Sequence, residues 1–178
     1  MDALLVVDMQ HANFDGVANY QPDSVIENVN RIIRHCRNAQ IPVVHIQHQD
    51  QSPEYLKGSP NWQILPQIDQ LPHDIRVDKT CCDAFIDTTL QSHLSEHNIR
   101  RLLVVGSATD FCVDATVKGG IARGYDVTVV GDAHTAEDRP HVSAKQLIAH
   151  YNWNWGCLET GNQSLSVMTT EQWINREV

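Results

Sequence analysis

The chain has 178 residues, of which 42% are hydrophobic and 20% charged, a composition typical of one globular domain. Its 13 Lys and Arg against 22 Asp and Glu give a formal net charge of −9, which disfavours binding to nucleic acid or to an anionic membrane surface. It has no apolar run near the roughly 20 residues of a membrane helix and no secretory signal pattern at its start. We therefore expect a single domain over residues 1–178 that acts in the cytoplasm.

A short apolar run opens the chain and predicts its first strand. Residues 3–7 read Ala-Leu-Leu-Val-Val, a pattern typical of a strand buried on both faces. Ser24 and Glu27 then form a capping-box pattern, which predicts the start of an amphipathic helix. A second buried strand is predicted at residues 41–46. The apolar stripe of the intervening helix comprises Val25, Val29, Ile32, Ile33 and Cys36.

Residues 47–72 interrupt this regular pattern. They contain four prolines and predict a long loop with a helical turn. Long ordered loops in compact domains often carry function. A short third strand is predicted at residues 75–77, and Asp87 or Thr88 is expected to cap a second helix that ends near His97.

The second half of the chain continues the alternation. A strand is predicted at residues 102–105, followed by a helix over 112–124 and a further strand at 127–130. The last predicted helix, over 140–151, opens on a proline, which favours the first turn of a helix. Alternating strands and helices predict a parallel sheet with helices on both faces.

Three reactive side chains follow predicted strands. Asp8 ends the first strand, Lys79 lies just beyond the third, and Cys112 lies where the fourth strand turns into a helix. Because ligands of open parallel sheets bind at the carboxyl ends of the strands, these groups are expected at one edge. A helix N-terminus and an ammonium stabilise a thiolate, and a carboxylate can accept the thiol proton. Each residue alone is more often a cap, a surface charge or a packing group, but together they indicate nucleophilic catalysis by cysteine.

The other cysteines and the histidines give weaker signals. An odd count of five Cys without a C-x-x-C pair predicts reduced thiols rather than disulfides, zinc or dithiol chemistry. Cys81 and Cys82 are predicted to be packing residues. The ten His form no recognised metal motif such as H-E-x-x-H.

Other doubly wound proteins are excluded by specific residues. A dinucleotide site requires Gly-x-Gly-x-x-Gly after the first strand, where residues 8–11 read Asp-Met-Gln-His, and the chain has no P-loop. A phosphoaspartate receiver domain requires a second acidic residue after the first strand and a phosphoacceptor Asp after the third.

The remaining pattern resembles the isochorismatase-like cysteine hydrolases, a superfamily that includes nicotinamidases and N-carbamoylsarcosine amidase. The resemblance extends over nearly the whole chain and implies a three-layer α/β/α Rossmann-like fold with a six-stranded parallel sheet of order 3-2-1-4-5-6. It also implies a homo-oligomer, a dimer or tetramer, acting on a small molecule without a cofactor. Four motifs carry it, namely Asp8-Met9-Gln10, Lys79, Gly106-x-x-Thr109-x-x-Cys112-Val113, and Gly131-Asp132-Ala133 with Thr135.

The resemblance also implies roles for individual residues. Asp8 is the general base, Lys79 the cation that supports the thiolate, and Cys112 the nucleophile. A cis peptide bond is implied between Ser107 and Ala108, so that the N–H groups of Ala108 and Cys112 bind an oxyanion. The implied reaction passes through a thioester with loss of an amine or ammonia. Isochorismatase itself lacks the cysteine, so Cys112 favours cleavage of a C–N bond in an amide, ureide or carbamoyl compound.

The metal ligands of nicotinamidases are not reproduced in this chain. Those enzymes use Asp-x-His after the second strand and a further His three residues beyond a pocket Trp. Here residues 48–50 read His-Gln-Asp, and a leucine lies three residues beyond Trp62. We therefore expect no metal. The alternative is a metal-dependent, nicotinamidase-like amidase with a site built from His45, His48 and Asp50.

Four residues are predicted to line the substrate pocket. Trp62 is expected to stack a planar substrate, Phe14 and Phe111 to complete an apolar wall, and Gln10 to orient a polar substrate atom. A further alternative is a non-catalytic binding member of the same fold, which the intact set of Asp8, Lys79 and Cys112 argues against.

Overall fold

The computed structural model describes residues 1–176. Its strands are β1 (Asp2–Val7), β2 (Val43–His48), β3 (Ile75–Lys79), β4 (Arg101–Ser107), β5 (Asp126–Thr135) and β6 (Leu165–Met168). Its helices are α1 (Pro22–Asn38), α2 (Leu90–Glu96), α3 (Asp114–Ala122), α4 (Ala144–Cys157) and α5 (Thr170–Ile174). All neighbouring strands pair in parallel, in the order β3-β2-β1-β4-β5-β6. The predicted fold class and strand order are confirmed.

The central strand β1 separates two hydrophobic layers. Leu5 and Val7 pack into a cluster with residues of α2, α3 and α4, whereas Leu4 and Val6 pack into a cluster with residues of α1 and α5. Because side chains of a strand alternate between its faces, both faces of β1 must be apolar. This explains why its sequence is a continuous apolar run.

Helix boundaries differ from the predictions where a different cap is used. Helix α1 begins at Pro22 rather than Ser24, since proline is well suited to the first helical turn, and its predicted apolar stripe is buried. Helix α2 begins at Leu90, whose N–H donates to the hydroxyl of Thr88, one of its two predicted caps, at 3.2 Å. Helix α4 begins after Ser143, which forms a capping box with Gln146, and not at the predicted proline.

Two elements near the end of the chain were not predicted from local sequence patterns. Strand β6 is only half-buried at the edge of the sheet, so its residues show no continuous apolar run. Helix α5 is a single short helix with a capping box between Thr169 and Gln172. None of the described helices is long and apolar enough to cross a membrane.

Gly106 allows β1 and β4 to approach closely at the edge that carries the site. Its φ is +126°, and a Cβ at this position would lie 2.0 Å from the carbonyl oxygen of Val7. No other residue type fits this position without moving the backbone. The chain therefore leaves β1 at Asp8 and β4 at Ser107 side by side.

Candidate active site

Asp8, Lys79 and Cys112 meet at the carboxyl edge of the sheet. Lys79 Nζ lies 2.7 Å from Asp8 Oδ2 and donates a hydrogen bond of 3.1 Å to Cys112 Sγ. Asp8 and Lys79 are each 1% exposed, so water screens their charges weakly. Asp8 has a φ of 49°, a left-handed conformation that aspartate adopts more readily than most residues. Strained backbone of this kind is concentrated at functional sites.

Burial and the charges of this cluster together act on the pKa of the Cys112 thiol. Burial, and then the carboxylate of Asp8, raise the pKa of the Cys112 thiol, and Lys79 only partly opposes them. Burial disfavours the charge on Lys79, but Asp8 and Cys112 outweigh it and raise the pKa of the ammonium. Cys112 therefore rests as a thiol beside a buried ion pair, rather than as a preformed thiolate. Asp8 Oδ1 is buried and has no hydrogen-bond partner within residues 1–176.

Cys112 lies in one turn of π-helix, Thr109–Val113, between β4 and α3. The carbonyl of Ala108 accepts hydrogen bonds from the N–H groups of Phe111 and Val113, both at 3.1 Å. Single π-helical turns occur frequently at functional sites. The peptide bond between Ser107 and Ala108 is cis.

A cavity of about 280 Å³ opens above Cys112. A side branch of about 110 Å³ continues past Ala108 towards Val17 and Asn19. The main cavity is lined by Asp8, Asn13, His48, Tyr55, Cys82, Ser107, Ala108, Phe111, Cys112, Glu137 and Arg139. Its size suits a small molecule rather than a polymer.

The structure brings one predicted pocket residue, Phe111, into this cavity and places the other three elsewhere. The buried Gln10 amide donates to the carbonyls of His48 and Trp62 at 3.0 and 2.8 Å, and accepts from the His48 N–H at 2.8 Å. The Trp62 ring lies beside Lys57, and Phe14 packs against the hydrophobic layer of α1. The Gln10 side chain thus anchors the 47–72 loop through the backbone of His48 and Trp62, a role that the position of Gln10 after a strand could not distinguish from substrate contact.

The three alternative metal ligands do not assemble. His48 Nδ1 is 3.4 Å from Lys79 Nζ, and its Nε2 is 3.6 Å from the Asp50 carboxylate. His45 instead pairs with Asp74 at 3.1 Å, since residues 45 and 48 point to opposite faces of β2. Within residues 1–176, no three His, Cys, Asp or Glu side chains are grouped closely enough to hold a metal ion. This donor set does not fit a metal site.

Comparison with known proteins identifies the family of this chain. The model of the Isochorismatase domain matches residues 2–153. The protein belongs to the isochorismatase family. One member, isochorismatase family protein YddQ of Bacillus subtilis, is 31% identical over 136 residues, which cover 74% of this chain and 76% of YddQ.

Other isochorismatase relatives have named activities. Streptothricin hydrolase of Streptomyces noursei is 33% identical over 143 residues, covering 79% of this chain but only 56% of that protein. Ureidoacrylate amidohydrolase RutB of Pseudomonas syringae is 29% identical over 170 residues, covering 74% of this chain and 69% of RutB. A crystal structure of an isochorismatase family protein superposes with a TM-score of 0.85 at 28% identity, covering 94% of this chain and 98% of that one.

Two charged residues that line the cavity, Glu137 and Arg139, were not predicted from the sequence. Arg139 donates two hydrogen bonds to the Asp110 carboxylate, at 2.8 and 2.9 Å, and one to Glu137 at 2.9 Å. Its guanidinium lies 4.9 Å from the centroid of the Phe111 ring. The signal that could have located both residues is the charged run Glu-Asp-Arg at 137–139, soon after the fifth predicted strand.

A buried chain of side-chain hydrogen bonds supports the π-helical turn. The Thr109 hydroxyl and His134 Nδ1 are 2.8 Å apart, and His134 Nε2 lies 2.9 Å from Asn152 Oδ1. Asn152 uses its NH₂ group to donate to the carbonyl of Gly131 at 2.9 Å. His134 therefore donates from Nε2 and accepts at Nδ1 as a neutral ring. Burial lowers the pKa of His134 to about 4.

Because His134 is buried as a neutral ring, we expect the free energy of unfolding to decrease in mild acid. Between the ordinary pKa of 6.5 and the folded pKa of about 4, the unfolded chain binds a proton that the folded chain does not. Above pH 6.5 the stabilising contribution of His134 is therefore fully present. The free energy of unfolding falls by about 3 kcal/mol as the pH decreases from 6.5 to about 4. Urea unfolding at several pH values measures this decrease.

His134→Gln should remove most of this acid-induced decrease in the free energy of unfolding. His141→Gln, at an exposed position, should leave the decrease unchanged. An equal decrease in the wild type and in His134→Gln would show that His134 is not the titrating group.

Proposed function

We propose that this isochorismatase family member is a cysteine-dependent hydrolase that cleaves a C–N bond in a small amide, ureide or carbamoyl compound. The observation that carries the proposal is the contact of Lys79 Nζ with both Asp8 and Cys112, at 2.7 and 3.1 Å, on the wall of a small cavity. Relatives named as a hydrolase and as an amidohydrolase support this class of reaction.

The first step forms a bond between Cys112 Sγ and the carbonyl carbon. The thiol proton passes to Asp8, whose Oδ1 lacks a partner while Oδ2 is held by Lys79. The Lys79 ammonium stabilises the sulfur as its proton leaves. The negative oxygen of the tetrahedral intermediate is assigned to the N–H groups of Ala108 and Cys112 at the start of the π-helical turn.

The second step breaks the C–N bond. Asp8 returns the proton to the leaving nitrogen, so that ammonia or an amine departs and a thioester remains on Cys112. Water then attacks the thioester carbon and gives its proton to Asp8. The C–S bond breaks, the acid is released, and the proton returns from Asp8 to the Cys112 sulfur.

The proposal is tested by a screen for ammonia release from small amides, ureides and carbamoyl compounds. We expect release from at least one of them, together with an acyl group on the Cys112 peptide after an acid quench. Hydrolysis that leaves no acyl group on Cys112 at any quench time, and that continues after Cys112 is alkylated, would contradict the proposal.

A single domain assembled as a homo-oligomer is part of the same proposal. Trp153 and Phe111 are large apolar side chains that are 64% and 52% exposed in the monomer, and a contact between subunits can cover them. Sedimentation equilibrium of the purified protein tests this expectation, since a monomer at all concentrations would contradict it.

A further inference from the structure

The charged groups that line the cavity differ in how completely they are neutralised. Asp8 is paired with the buried Lys79 at 2.7 Å. Arg139 is paired with Asp110, whose side chain is only 12% exposed, through two hydrogen bonds. Glu137 pairs with the same Arg139 that Asp110 uses, and it has no other cation as a partner within the described chain. Three carboxylates and two cations leave this set of groups with a net charge of −1.

Glu137 is placed where a substrate can reach it. Glu137 lines both the main cavity and the side branch, and its backbone pairs with that of Asn19 in an isolated β-bridge. Its side chain is 47% exposed, and Oε1 accepts the hydrogen bond from Arg139. The other carboxylate oxygen, Oε2, has no hydrogen-bond partner within residues 1–176.

Neighbouring polar groups of the same wall are already engaged. The Asn13 amide nitrogen donates to the carbonyl of Asp8 at 2.7 Å, and its oxygen accepts from the Tyr55 hydroxyl. The carbonyl of Asn13 accepts from the side chain of Asn19 at 2.7 Å. A carboxylate oxygen without a partner, beside Asn13 groups that are already engaged, favours a ligand that donates hydrogen bonds and carries positive charge.

We propose that Glu137 makes this cavity selective for amides that carry a cationic group, such as an ammonium, and against amides that carry a carboxylate. The identification of the substrate as an amide rests on the proposed function, whereas the charge selectivity is a property of the cavity around Cys112. A fixed carboxylate in a partly desolvated cavity raises the local concentration of cations and lowers that of anions.

The selectivity is tested with thiol reagents that differ in charge. Trimethylammonioethyl and sulfonatoethyl methanethiosulfonate are cationic and anionic, and each forms a mixed disulfide with a cysteine thiolate and releases methanesulfinate. Rates at Cys112 are measured by peptide mass spectrometry in a Cys82→Ser background, since Cys82 lines the same cavity. Each rate is divided by the rate of the same reagent with mercaptoethanol.

We expect the cationic reagent to react with Cys112 about tenfold faster than the anionic one. Glu137→Gln should reduce this ratio by about threefold or more, because it removes one charge and keeps the side-chain shape. The matched control is Glu96→Gln, at the opposite end of the sheet, which should leave the ratio at Cys112 unchanged. The ratio at the exposed Cys157 corrects for the net charge of the whole chain.

An equal ratio at Cys112 in the Cys82→Ser protein with and without Glu137→Gln overturns the assignment of Glu137. This outcome is independent of the proposed function, since the exchange reaction requires a thiol but no hydrolase activity. Three amides with the same two-carbon spacer extend the test to turnover, namely β-alaninamide, butanamide and succinamate, which carry a cation, a methyl group and an anion. We expect kcat/KM to decrease in that order in the wild type, and a preference for succinamate would overturn the proposal.

Discussion

Cys112→Ala is expected to decrease kcat/KM by about 10⁴-fold or more for any amide that the wild type cleaves. Alanine offers no nucleophile, so the thioester cannot form, and Asp8 can only activate water directly against the amide. The fold should persist, because Cys112 is partly buried against the hydrophobic layer and the change removes a single sulfur atom. Ammonia release and circular dichroism measure the two expectations.

Cys82→Ala is the matched control for this variant. Cys82 lines the same cavity as Cys112 but makes no side-chain contact with Asp8 or Lys79 within residues 1–176. Its replacement should leave kcat/KM within about threefold of the wild type. If Cys112→Ala retained a tenth or more of the wild-type activity, Cys112 would not be the nucleophile.

Lys79→Met is expected to reduce both activity and stability. Methionine has a similar length but no charge, so the buried Asp8 carboxylate loses its partner, and breaking a buried ion pair costs about 3–5 kcal/mol. Without the ammonium, the sulfur anion loses its support. We expect a decrease of about 10³-fold in kcat/KM. Urea unfolding and amide hydrolysis measure these effects on one preparation.

Lys118→Met is the matched control, which separates the effect of removing Lys79 from that of removing any lysine. Lys118 forms an exposed i,i+4 pair with Asp114 at 2.7 Å, so its removal should change the free energy of unfolding by less than about 1 kcal/mol. Alkylation of Cys112 by iodoacetamide should shift to higher pH in Lys79→Met but not in Lys118→Met. Unchanged activity in folded Lys79→Met would remove Lys79 from the mechanism.

Several features of this isochorismatase family member could be predicted from its sequence. The strands are visible because a central parallel strand is buried on both faces, which requires continuous apolar runs such as residues 3–7. The meeting of Asp8, Lys79 and Cys112 is predictable because the carboxyl ends of parallel strands share one edge of the sheet. Strand β6 was implied only by the family resemblance, since a half-buried edge strand does not require an apolar run.

The properties of the cavity were decided by the tertiary structure. Gln10 looks like a pocket residue in sequence, yet its side chain donates to the backbone carbonyl of Trp62 and anchors the 47–72 loop. Glu137 enters the cavity from beyond the fifth strand through its pairing with Asn19, a contact between distant segments that no local pattern encodes.

The protonation of Cys112 also depends on the folded environment. The sequence by itself determined which reactive groups share an edge, because strand direction and local burial are encoded in nearby residues. Only the tertiary structure decided that the pKa of the Cys112 thiol is raised and that Glu137 shares its one cation with Asp110, because burial and charge pairing depend on side chains brought together from distant parts of the chain.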